Sequence, residues 1–388
     1  LRRQRYSWRW HSTALASALS SLREAIPAAI PFFGMISEVE VGFLCAVMNA
    51  AHLAKLDYQG LALRPEDGNA QLSFSTQKNA NQDPTPEILI DLLRKGSQAY
   101  LQRRGEPAKY LSVLGAGLGQ TMQSPTKEIT PEERYDELQK SLEEAISYRG
   151  GFLRLGASSQ TPEAGLWWLD EHDGEGVPLS DRVEIELVSN LINHPGSRLE
   201  DLDSSLCAAF PGLMTPSSSL VCMCLESYGQ QAPSENEGWM IRDDDLPSNR
   251  RNDLKEIADL VQTLGSHLGL RTQHIHDDPQ CFEWVGNQGK IPYTIFLTAS
   301  AVLEKIFNSP LEIRGKPLVI VPGGRANLVV FKLKENPLWQ QKVDQGWQFI
   351  KYRHLRLLAE NPILTLKNFE KQLSLDPITY SDPQIRLF

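Results

Sequence analysis

Short apolar runs bounded by turn residues alternate along the chain with longer stretches whose apolar residues recur at helical spacing, and this alternation constrains the fold most. It calls for strands buried in sheets with helices laid over them, an α/β architecture. A length of 388 residues exceeds what a single core usually serves, so a multidomain chain is expected. With 41% hydrophobic and 22% charged residues the chain can bury enough apolar surface to offset ordering entropy, which excludes disorder over most of its length. No apolar run reaches the roughly eighteen residues of a spanning helix. The five cysteines are too few and too scattered for a disulfide framework. The expectation is a cytoplasmic protein of a reducing compartment with no membrane partner.

The net charge of −9 conceals a strong segregation. Between Glu128 and Asp245 there are 24 acidic and 7 basic residues, whereas between Arg314 and Lys371 there are 11 basic and 4 acidic ones. A cationic C-terminal lobe beside an acidic middle suits a chain that meets phosphate on one face, with the acidic 128–245 region left to a partner protein. The opening stretch carries Arg2, Arg3, Arg5, Arg9 and Arg23 before its first acid, Glu24. It runs into structured sequence without a cleavage-like break, so it reads as the interior of a longer protein and not as a transit peptide.

Residues 1–78 read as part of an α/β domain. A helix over STALASALSSLREAI precedes a buried strand, IPFFGMI, and a second helix that Ser37 and Glu40 would open as a capping box and Gly60 would close. Two further strands flank the Glu66-Asp67-Gly68-Asn69 turn as a hairpin. An antiparallel hairpin closing an otherwise parallel sheet accounts for that order. Residues 79–165 read as a helical connector. Its Gly115, Gly117 and Gly119 resemble a nucleotide-binding glycine loop, but they follow a helical pattern and lack the preceding strand that a dinucleotide loop needs, so that reading is set aside.

Residues 166–248 show three short helical patterns and a ribbon at Trp239, Met240 and Ile241, the order of a winged-helix module. Its third helix, SSSLVCMCLES, offers no Arg or Lys for base or phosphate contacts, and packing against neighbours is the better reading. Cys222 and Cys224 diverge by about 200° on that helix, which fits core rather than a metal pair. Residues 249–388 give a helix, three meandering strands, a helix and a strand, the order of a restriction-endonuclease-like core. That chemistry needs an acid on the second strand and a Glu-x-Lys pair on the third. The third strand here, IPYTIFLTAS, has neither.

Candidate chemistry is sparse. His274 and His276 lie two apart on a strand, so both face one side, and with Asp277, Asp278 and Cys281 they make a weak metal cluster. Asp277, Asp278 and Glu283 are the carboxylates nearest to where hydrolysis would need them. In the basic lobe Arg325, Lys332, Lys334, Lys342, Lys351, Arg353 and Arg356 are the candidate contacts to a DNA backbone. The interleaved Trp339, Trp347, Phe349 and Tyr352 are read as core.

The tract FFGMISEVEVGFLCAVMNAAHLAKLDYQGLALRPEDGNAQLSFST resembles the closing strands and helix of a large bacterial adenine-specific DNA methyltransferase of the restriction-modification type. The later GVPLSDRVE, PGGRANLVVFKLKENP and IKYRHLRLL are similar to the C-terminal extensions of such proteins. The resemblance implies a partial Rossmann-like methyltransferase sheet, a helical and winged-helix middle and a degenerate restriction-endonuclease-like α/β domain at the C-terminus. Two departures qualify it. The family's Phe-x-Gly-x-Gly cofactor loop and Asn/Asp-Pro-Pro-Tyr motif do not occur, so the chain by itself has no S-adenosylmethionine site; only upstream sequence would supply one. The Glu-x-Glu-Trp end of the third nuclease-like strand is replaced by Phe296, Leu297, Thr298 and Ala299. The expectation is a non-catalytic DNA-binding scaffold of a DNA modification or defence system. The alternatives are a structural subunit that docks protein without nucleic acid, and a fragment or subunit of an active methyltransferase.

Overall fold

A computed structural model describes residues 7–37, 39–64, 66, 68–76, 89–122, 129–171, 176–232, 238–275 and 278–379. The chain is mixed α/β and forms two compact units, Leu1–Leu179 with Cys207–Ser217 and Ser180–Leu206 with Ser218–Phe388. Among the described residues no helix is long and apolar enough to cross a membrane.

In the first unit, α1 (Trp8–Ala25) begins at Ser7, whose side chain accepts from the Trp10 backbone. β1 (Pro31–Ile36), α2 (Val41–Leu53), β2 (Asp57–Arg64) and β3 (Asn69–Ser75) follow. The sheet order is β1-β3-β2, and both β1 and β2 are antiparallel to β3. β1 and β2 therefore run in the same direction, joined by α2, with the hairpin's return strand inserted between them. One face of the sheet buries Ile36, Leu61, Leu63, Ala70, Leu72 and Phe74.

Three local expectations fail here. β1 is not a buried strand: it lies at the sheet edge and its burial alternates, because only one face has helices over it. Glu40 precedes α2 without any side-chain cap, so the Ser37–Glu40 box does not form. Gly60 does not end a helix; α2 stops at Leu53, and Gly60 sits beside a register shift in the β2–β3 pairing.

The unit continues with α3 (Leu89–Arg104), β4 (Ala108–Lys109), α4 (Tyr110–Thr121), α5 (Pro131–Ala145), β5 (Phe152–Leu155) and β6 (Leu166–Leu169). α5 carries a Thr130/Glu133 capping box with Pro131 in its first turn, a start legible in the sequence. Gly115, Gly117 and Gly119 all lie inside α4. A Cβ on Gly96 of α3 would stand 2.7 Å from the Ala116 carbonyl, and one on Gly117 would stand 2.8 Å from that of Leu93. Gly96 and Gly117 thus let two helix backbones meet.

The second unit contains α6 (Leu179–Asn193), most of α7 (Leu199–Ala209), and α8 (Ser218–Tyr228), followed by the ribbon β7 (Gly229–Gln231) and β8 (Trp239–Ile241). Next come α9 (Pro247–His267), β9 (Arg271–Ile275), β10 (Asp278–Val285), β11 (Tyr293–Leu297), α10 (Glu304–Phe307), β12 (Lys316–Val321), α11 (Ala326–Glu335), α12 (Pro337–Asp344), β13 (Gln348–Lys351), α13 (Tyr352–Ala359) and α14 (Leu366–Leu373). The five-stranded sheet has the order β13-β12-β11-β10-β9, antiparallel from β9 to β11 and parallel from β11 to β13. Its core joins Ile257, Val261, Phe282, Trp284, Ile295, Ile320, Ile350 and Phe369.

Four segments were expected and two units form. The strand that opens the third segment, β6, pairs with β4 and β5 and so belongs to the first unit. The three-helix module is held to the C-terminal sheet by α8 lying against α11. Cys224 is buried as expected, but Cys222, also read as core, is exposed, because the turn of about 200° between them puts it on the other side of the helix.

Candidate functional site

The seven cations expected to follow a phosphate backbone are for the most part already neutralised. Arg325 is 1% exposed; its guanidinium donates to Asp245 and to the Ser227 carbonyl and lies 3.5 Å from the centre of the Tyr228 ring. Lys332 is equally buried and donates to Asp181 at 2.6 Å, to Glu184, and to the Ala301 carbonyl at 3.0 Å. Lys342 donates to the Phe307 carbonyl. Lys351 and Arg353 share Asp376 at 2.7 and 3.0 Å. Arg356 bridges Asp253 at 2.6 Å and Glu256 at 2.9 Å. Lys334 alone of the seven is exposed and pairs with no acid among the described residues. For Arg325, Lys332 and Lys351, which are buried, the reading as a DNA-backbone surface is corrected: a buried cation bound by carboxylates presents no charge to a polyanion.

Acids of the middle region and bases of the C-terminal lobe thus meet inside one unit. Asp181 also accepts from the Leu303 and Glu304 backbones at 3.0 and 2.9 Å, and Glu184 from the Tyr228 hydroxyl and the Ala301 backbone. Burial pushes the Asp181 carboxyl up to about 6 against the pull of Lys332. Burial also raises the Tyr228 phenol, and Glu184 beside it raises it further. The Lys332 ammonium is held above its ordinary value because Glu184 and Asp181 together outweigh its desolvation.

Of the weak metal candidates, the side chains of His274 and Cys281 lie among the described residues. His274 is exposed on β9 with its ring 4.5 Å from that of Phe282. His276 and Asp277 lie outside the described residues, as does the side chain of Asp278. Cys281 is buried, and no group of three ligating side chains occurs among the described residues. Glu283, fully buried on β10, accepts from Arg314 at 3.0 and 2.6 Å and from Gln273 at 2.9 Å. β11 beside it is buried throughout, including Phe296 and Leu297. Trp339, Trp347 and Tyr352 are buried, as expected of core.

The first unit holds a cleft of about 990 Å³ that sequence reasoning missed. All seven residues from Tyr58 to Arg64 line it, so the free edge of β2 forms one wall. Ala99, Tyr100 and Arg103 of α3, Gly119 and Gln120 of α4, and the segment around Gly212 complete it. The close approach of α3 and α4 positions the Arg103 turn, and a Cβ on Gly119 would press on the Tyr58 ring at 3.0 Å. Tyr100 donates to the Leu213 carbonyl at 3.4 Å and receives Arg104 at 3.2 Å. Arg64 reaches the Cys207 sulfur at 3.3 Å. Among the described lining residues the charged ones are Arg64 and Arg103, and the polar remainder includes Gln59, Asn69, Gln71 and Gln120. Arg64 and Arg103 bring guanidinium groups to the cleft from two different elements. Nothing in the sequence marks these residues, which lie on different elements.

No protein-family description, curated protein or solved structure matches the chain.

Proposed function

We propose that this chain is a non-catalytic, nucleic-acid-binding scaffold of a DNA modification or defence system, and that its binding site is the cleft beside β2 and not the C-terminal cations. The observation that carries the proposal is the cleft's lining, in which Arg64 and Arg103 stand among side-chain amides. Arginine and amide groups are the side chains that grip phosphate and hydrogen-bond base edges. Support at the level of fold is analogy: β1 and β2 flank an antiparallel return strand, as the methyltransferase-like sheet would require, and β9 to β13 follow the order of a nuclease-like core. The non-catalytic part rests on Glu283, whose carboxylate is occupied by Arg314, and on the wholly buried β11.

Fluorescence anisotropy with labelled DNA, single- and double-stranded, at two salt concentrations tests the reading. Binding that weakens with salt supports it. No binding of either probe at low salt sinks it and leaves the protein-docking alternative.

A further inference from the structure

β1 bounds the sheet of the first unit with an edge that is left open. The Thr76 backbone donates to the Ile30 carbonyl at 3.4 Å, and the antiparallel ladder alternates from that pair. Phe32, Gly34 and Ile36 therefore bond β3, while Pro31, Phe33 and Met35 turn their main-chain groups to the open side. Pro31 has no N–H and in that phase costs the ladder nothing. Among the described residues no strand pairs with that side. The side chains agree with the backbone. Phe33 is 62% and Met35 is 73% exposed on one face, and on the other Phe32 is only half-buried although its β3 neighbour Phe74 is buried. Edge strands are commonly blunted by lysine, an inward charge or a bulge, and Pro31–Ile36 has none of these, its one such device being Pro31 at the first residue. Asp57 and Arg64, charged residues in the rows of the outer face, stand on β2, on the far side of β3.

We propose that the occupant of this edge is a second copy of the chain, joined β1 to β1 antiparallel about a two-fold axis, so that two three-stranded sheets become one continuous sheet. The strand is complementary to itself. With Gly34 opposite Gly34 of the second copy, each Phe33 faces a Met35 and exchanges main-chain hydrogen bonds with it, using the groups that β3 leaves free. The outer face gains an aromatic–thioether contact on each side of the axis, and on the inner face each half-buried Phe32 meets an Ile36. At the axis the Cα atoms of a non-hydrogen-bonded pair approach to about 4.5 Å, where glycine leaves room. The neighbouring register sets Pro31 opposite Met35 and leaves the Met35 carbonyl without a donor. A foreign strand would have to bring its own Phe and Met at that spacing, whereas a second copy has them by symmetry. Isologous pairing uses the open edge of both copies and stops there, because β2 at the sheet's other edge is a wall of the cleft. A few apolar side chains per copy fall short of the roughly 800 Å² per partner of a standard interface. The dimer is accordingly weak, of micromolar affinity.

Sedimentation velocity of the full chain, from low to high micromolar concentration, should show a monomer passing into a species of twice the mass. Phe33→Glu/Met35→Glu sets like charges opposite each other across the junction and should weaken the dimer at least about tenfold. Both side chains are exposed, so thermal unfolding at concentrations where the chain is monomeric should not move. Gly34→Cys puts a thiol at the axis, with its Cβ in ordinary contact with the Leu72 Cβ at 3.9 Å. Mild oxidation should then give more cross-linked dimer on non-reducing gels than the wild-type chain gives through its exposed Cys222. A wild-type chain that stays monomeric throughout overturns the proposal and leaves the edge to another partner. A dimer that survives Phe33→Glu/Met35→Glu, or that Gly34→Cys does not cross-link above the wild-type level, forms through another surface and overturns it equally. Neither result bears on nucleic-acid binding in the cleft.

Discussion

Lys332 shows how far a residue's role depends on what it meets. In the sequence it is one more cation of a basic stretch; in the fold it is the sole ammonium between two buried carboxylates. Lys332→Met should cost about 3–5 kcal/mol, because Asp181 and Glu184 are then left buried without a countercharge. Urea denaturation measures this, and adding Asp181→Asn and Glu184→Gln should recover most of the loss. The same cluster sets a pH dependence. Asp181 is raised in the folded state from 3.8 to about 6, so its contribution to stability is fully present below pH 3.8 and is lost as pH rises through 6. The wild-type protein should therefore gain stability relative to Asp181→Asn between pH 7 and pH 5, read as a difference in melting temperature. An equal pH response in the two proteins refutes that assignment. Neither effect is legible in the sequence, where Asp181 and Lys332 stand 151 residues apart.

At the scale of elements, the sequence is most reliable where chemistry is local. The β2–β3 hairpin arises as expected and a Thr130–Glu133 box opens α5, since each needs only neighbours in the chain. The Ser37–Glu40 cap fails because α2 begins after both residues. The α3–α4 contact is a tertiary matter that glycine spacing only hints at. Gly96→Ala would put a methyl group into the Ala116 carbonyl and Gln120, and should destabilise the first unit by about 1–3 kcal/mol, more than the roughly 1 kcal/mol gained in helix propensity. Because Gly96, Ala99 and Arg103 share that helix and line the cleft, DNA affinity should fall with it. A neutral or stabilising Gly96→Ala would show that the two helices part without strain.

Across the molecule, the segregation of charge was legible and its meaning was not. A basic lobe and an acidic middle look like two surfaces for two partners, yet within the second unit Arg325–Asp245 and Lys332–Asp181–Glu184 turn them into an internal seam. The three-helix module and the C-terminal sheet should then unfold together: hydrogen exchange should open α6, α8 and α11 at one free energy in the wild-type protein and at separate ones in Lys332→Met. Charge reversal at Lys351, Arg353 and Arg356 should lower stability through Asp376, Asp253 and Glu256 and leave DNA affinity unchanged. Weaker DNA binding at unchanged stability would restore the lobe as the binding surface.

Periodicity and turn chemistry determined the mixed α/β class, the order of strands and helices in the C-terminal region, the hairpin, and the lack of a Glu-x-Lys pair on the third strand of that region, because these depend on residues a few positions apart. Tertiary structure alone decided which charges face water and which face each other, and it alone gathered Arg64, Arg103 and the amides around one cleft. Electrostatic and hydrogen-bonding partners are fixed by distance in space, and a buried charge takes its role from the countercharge that folding places beside it.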